Sequence, residues 1–206
     1  MACFCHEFLC SETLYDLTMH PIHFDVVKAF KDGQQRKYDE QAFYGPVNLL
    51  LAWYFSLERG FVVAPRSVPI GCYDEKFEST IEFEVQREGK PVLVVLVKPA
   101  LSLNTVTSRI DADAQLRIRF SDRHTECPLE VLHGLVFFGC NFAFYRIECK
   151  THRWNPPVPT RNPYHVAEEP ALERYSHDVT AEASAENLVD CFDGILRACR
   201  ALDQQM

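Results

Sequence analysis

Four side chains in the middle of the chain have types and spacing that could do chemistry together: Glu82, Lys98, Gln115 and Arg117. Lys98 follows residues 92–97, which are apolar throughout, and stands just before Pro99. An ammonium closing an apolar strand needs an anionic partner, because burying an unpaired charge is costly. Glu82 sits in the preceding segment, 80–86, and supplies that partner if the two segments pair. Gln115 and Arg117 come next, on a helical pattern. Taken singly, each has a plainer reading. Glu82 is then a solvent-side strand residue, Lys98 a side chain that snorkels out of a strand end, and Gln115, Arg117 and Arg119 a solvated helix face. Only the joint spacing raises the functional reading.

Other chemistry is thinner. Cys3, Cys5, His6 and Cys10 crowd the N-terminus, but no second pair at zinc-site spacing follows. Small thiols packed as hydrophobes are the simpler reading. His124 and His133 flank Cys127, yet nearness in sequence does not make a nucleophile–base pair. There is no G-x-S-x-G, no glycine-rich phosphate loop and no H-E-x-x-H. Trp154 among Pro156, Pro157 and Pro159 reads as a strap over the core or a peptide-contact segment.

The elements that must hold these residues can be read from periodicity. Residues 24–30 suit a short helix, and 31–40 are polar and loop-like. Pro46 opens a helical pattern carried by Leu49, Leu50, Trp53 and Tyr54, with Pro46 in the first turn and Gly60 as the stop. Residues 61–65 read as a strand ended by Pro65, and 66–77 as loop. In 80–86, Ile81, Phe83 and Val85 alternate with Glu82, Glu84 and Gln86, which predicts a half-exposed strand. Residues 87–90, with Gly89, form a hairpin connection. The unbroken apolar run 92–97 predicts a strand buried on both faces. Residues 101–104 are loop, 108–120 a helix, 131–140 an apolar stretch punctuated by glycine, and 141–148 a strand. Residues 153–163, rich in proline, are extended or loop. About 184–202 form an amphipathic helix with Leu188, Phe192, Ile195, Leu196 and Cys199 on one stripe, packed on the domain or on a second copy.

Ser79-Thr80-Ile81-Glu82-Phe83 followed by Gly89-Lys90-Pro91-Val92-Leu93-Val94-Val95-Leu96-Val97-Lys98-Pro99, with Ala112-Asp113-Ala114-Gln115-Leu116-Arg117 and then 135–145, resembles the core of PD-(D/E)XK nuclease-like domains. It is most similar to uncharacterised fungal members of that superfamily, and the resemblance covers about residues 42–148. It implies an α/β (α+β) fold with a central mixed sheet flanked by helices, a restriction-endonuclease-like core. It also implies roles. Glu82 takes the first acidic position, Lys98 the lysine that positions water or stabilises charge, and Gln115 the assisting glutamine. A Mg²⁺ ion held by carboxylates would activate water and neutralise a phosphoryl oxyanion. The chain departs from the motif at Leu96, where the E-x-K acid should stand. Glu84, on the face of Glu82, is the nearest substitute ligand, and Asp111 or Asp113 on the helix are others.

The 206 residues, 47% apolar, are enough for one core and imply one domain spanning 1–206. A formal net charge of −8 counts against wholesale phosphate binding but leaves room for a local basic patch. Nine cysteines without a secretory leader imply reduced thiols in the cytoplasm or nucleus. No apolar run reaches the roughly 18 residues of a membrane span. Three functional readings follow. The first is a degenerate nuclease-like domain that binds nucleic acid or protein, with a homodimer admitted and no cofactor. The second is an active Mg²⁺-dependent nuclease using Glu82, Lys98 and a non-standard acid. The third is a small-molecule enzyme reusing the cleft.

Overall fold

The structure is a computed structural model that describes residues 20–68, 80–158 and 171–204. The cluster Cys3, Cys5, His6 and Cys10 lies outside those residues.

The long apolar run forms the centre of a seven-stranded mixed sheet. Strands β1 (Phe61–Val68), β2 (Thr80–Arg87) and β3 (Lys90–Lys98) form an antiparallel meander. Strand β4 (Val131–Phe138) then pairs with β3 in parallel. Parallel neighbours need a crossover connection, and helix α3 (Val106–Arg123) supplies it. Beyond β4 the sheet continues antiparallel through β5 (Asn141–Glu148) to the two-residue β6 (Trp154–Asn155), and β7 (His177–Asp178) also pairs with β5. Helices α1 (Phe24–Gly33), α2 (Gln41–Tyr54) and α4 (Glu182–Asp203) complete the fold. No helix among the described residues is long and apolar enough to cross a membrane.

The continuous apolar run of β3 reflects burial on both faces. Leu93, Val95 and Val97 join one core with α1, α2 and α4. Val94 and Leu96 join a second core under α3, with Ala112, Leu116 and Phe120. Gly134 on β4 lets α3 approach the sheet closely. A Cβ there would meet Phe120 at 2.5 Å and Leu116 at 3.1 Å. Gly134→Val should therefore force the two layers apart and lower stability by roughly 1–3 kcal/mol, the usual cost of overpacking. Urea denaturation checks this, and an unchanged midpoint would mean α3 tolerates displacement.

Several sequence readings need correction. The second helix begins at Gln41, so Pro46 lies inside it. Burial of Ala42 and Phe43 outweighs the backbone bond that proline cannot donate. That helix stops at Tyr54, and residues 57–59 form a separate 3₁₀ turn closed by Gly60. Residues 31–33 extend α1 and 34–36 add another 3₁₀ turn. Strand β1 continues through Pro65 to Val68, as an edge strand permits; residues 69–77 of the expected loop lie outside the described residues. Residues 100–104 are a 3₁₀ turn rather than plain loop.

Candidate functional site

The two glutamates of β2 lie face to face with α3. The half-exposed reading of β2 is overturned here: Glu82 is 5% exposed and Glu84 only 1%. The cause is a matching row of arginines on the helix. Arg119 Nε donates to Glu82 at 2.7 Å. Arg123 donates to both oxygens of Glu84, from Nε and Nη2, each at 2.9 Å. Arg66 on β1 adds a 2.9 Å bond to Glu84, and Gln86 Nε2 another at 2.6 Å. Two residues along a strand span about 6.6 Å, and four along a helix about 6 Å. The spacings 82/84 and 119/123 therefore register, one guanidinium to each carboxylate.

The cation at Glu82 is thus Arg119, not the expected Lys98. Burial pushes the Glu82 carboxyl above its ordinary range, opposed chiefly by Arg119 and reinforced by neighbouring Glu84. Lys98 is half-buried at the end of β3, and its carbonyl accepts from Gly139 N at 3.1 Å. Gln115 stands one turn before Arg119 on α3. Its Oε1 is buried, and among the described residues it has no hydrogen-bond partner. Asp113 does not migrate toward Glu82. It is held by Arg117, at 2.7 and 3.2 Å, and by Arg174 at 2.9 Å, while Asp111 is exposed.

This donor set does not fit Mg²⁺. Leu96 is the direct cross-strand partner of Glu82 and brings no oxygen. The Glu82 and Glu84 carboxylates already face guanidinium groups, whose charge repels a cation. Arg119, which the sequence pattern puts on a solvated helix face, is instead packed against Glu82 with its side chain 19% exposed. The i, i+4 spacing of Arg119 and Arg123, set against i, i+2 glutamates on a neighbouring strand, was the available signal.

A second arrangement lies on the other face of the sheet, beneath α4. His133 on β4 shares a face with Leu135 and Phe137, which pack into the α1, α2 and α4 core. Its Nδ1 is 3.8 Å from Cys191 Sγ on α4. The two residues are 58 apart in sequence, so no local pattern announces them; among the described residues the Cys127 thiol is directed at the Val131 carbonyl at 3.9 Å, not at His124 or His133. Burial, and then the charge of Arg146, lowers His133 to about 4. Burial raises the Cys191 thiol to about 11. Both groups are therefore neutral at pH 7, which disfavours the thiolate–imidazolium pair a nucleophilic cysteine uses.

The His133 shift has a consequence for stability. Its folded value, about 4, lies below its ordinary 6.5. The unfolded chain therefore binds the extra proton first as pH falls. Stability is retained above pH 6.5 and lost between 6.5 and 4, by about 3 kcal/mol at roughly 1.4 kcal/mol per pH unit. His133→Asn should flatten that part of the pH–stability profile in urea titrations, and an unchanged slope would show that the ring is solvated.

No family model, curated protein or solved structure matches the chain.

Proposed function

We propose that the chain is a degenerate PD-(D/E)XK-like domain, working as a binding or interaction protein without nuclease activity. The observation that carries this reading is the arginine clamp on Glu82 and Glu84 opposite Leu96. A hard dication would have to displace Arg119 or Arg123 and shed part of its own hydration shell, which Mg²⁺ gives up reluctantly. The order α2-β1-β2-β3-α3-β4 also agrees with the element order that the resemblance implies. In this reading the carboxylates of the old metal position have become structural, tying α3 to the sheet.

The test is a cleavage assay with the purified full chain, on single- and double-stranded DNA and RNA, in Mg²⁺ and in Mn²⁺. The expected result is no metal-dependent cleavage and no heat of metal binding in calorimetry. Cleavage that disappears in Glu82→Ala would overturn the proposal in favour of an active nuclease built on Glu82, Lys98 and a non-standard acid.

A further inference from the structure

The space beneath α4 next to His133 and Cys191 opens into a cleft of about 580 Å³, within the range of small-molecule sites. Its walls and rim differ in character. Phe144 and His177 give it flat ring surfaces, and Arg146, Asn155 and Asp190 stand at its edge. His177 is itself held in place, stacked on Phe142 at 5.3 Å and edge-on to Phe144 at 5.2 Å. The ring walls are therefore preorganised by the sheet.

Arg146 is the cation of this cleft. Its cross-strand neighbour is Asn155. With the Asn155 amide oriented to satisfy the guanidinium, its oxygen accepts from Nε at 3.2 Å and from Nη2 at 3.1 Å. That bond fixes the plane of the guanidinium and leaves its Nη1 side, a second donor edge, for another acceptor. Paired N–H donors in one plane match a carboxylate. His133, with Nδ1 directed at Cys191, keeps its other ring nitrogen for the cleft and carries no charge at neutral pH. Asp190 adds a negative charge at the α4 rim. One fixed cation beside one fixed anion favours a monoanion over a phosphate dianion.

We infer that this cleft binds a small planar aromatic carboxylate, its acid group on Arg146 and its ring packed on the cleft side of the Phe144–His177 ring pair. The site lies on the opposite sheet face from Glu82 and Glu84, so it does not depend on the nuclease-like reading.

The experiment is calorimetric titration of the full chain with benzoate, 4-hydroxyphenylacetate and indole-3-acetate, alongside indole-3-acetamide and inorganic phosphate. At least one of the carboxylates should bind saturably. The neutral amide and phosphate should each bind about tenfold more weakly or worse, a difference of about 1.4 kcal/mol. Arg146→Gln should cause a similar loss. Arg146 is exposed, so that variant should fold, which circular dichroism checks. In NMR titrations the bound acid should also raise the His133 value, since a nearby anion stabilises the imidazolium. The inference is overturned by no saturable binding of any carboxylate below about 10 mM, well past the weak limit of specific recognition. Equal binding of acid and amide, equal binding of phosphate, or undiminished binding by Arg146→Gln would overturn it too.

Discussion

Truncation after Asn187 should abolish cooperative folding, leaving a chain that aggregates. Helix α4 places Leu188, Phe192, Ile195, Leu196 and Cys199 in the core, none more than 5% exposed. Phe192 packs against Phe55 and Tyr54, with ring centroids 5.1 and 5.2 Å apart. Fully burying a large apolar side chain contributes about 1.5–3 kcal/mol. Several such residues together rival the roughly 5–15 kcal/mol net stability of a typical domain. Deleting the helix also uncovers Phe55, at the end of α2, in the same core. Phe192→Ala alone should cost about 3–5 kcal/mol, the range for truncating a buried ring. Thermal and urea unfolding measure both variants. A truncated chain that stays monomeric and melts like the full one would show that α4 merely lies on the surface.

Glu84→Leu should lower stability by about 3 kcal/mol, at the lower end of the cost of stranding a buried charge. The carboxylate side chain is 2% exposed and serves Arg123 and Arg66, whose side chains are 18% and 38% exposed. Removing it leaves the Nε and Nη2 edge of Arg123 unpaired, with only the Nη1 bonds to Glu126 remaining, while Arg66 can turn toward water. The double variant Glu84→Leu/Arg123→Met should recover part of the loss, because a buried ion pair replaced by apolar groups of similar volume is often neutral. A double-mutant cycle isolates that coupling. A single-variant loss below about 1 kcal/mol would mean that both arginines re-solvate freely and that the clamp is not what holds α3 to β2.

Much of the scaffold was legible from local pattern. The apolar run 92–97 predicts a strand buried on both faces, and it is one. The hairpin through Gly89 needed a residue that adopts positive φ, and Gly89 has φ +73°. The amphipathic stripe of α4 matched its buried residues from Leu188 to Cys199. Two of the misread boundaries share one cause. At Pro46 and Pro65 local propensity forbids continuation, but burial of Phe43 in one case and the open edge of the sheet in the other permit it.

The candidate site was legible only in part. Residue types and spacing alone placed Glu82, Lys98 and Gln115 on adjacent elements, because a hairpin followed by a crossover helix leaves few other arrangements. What they touch was settled by tertiary structure. A strand that alternates apolar and acidic residues looks solvent-facing until the register of the covering helix is known, and the choice of Arg119 over Lys98 as the partner of Glu82 follows from that register. The cleft of His133, Arg146 and Cys191 was invisible for a stronger reason. Its members come from β4, β5 and α4, and only the packing of α4 across the sheet brings them within reach. Local periodicity reports which face of an element is buried; which charges meet across that face depends on how the elements dock.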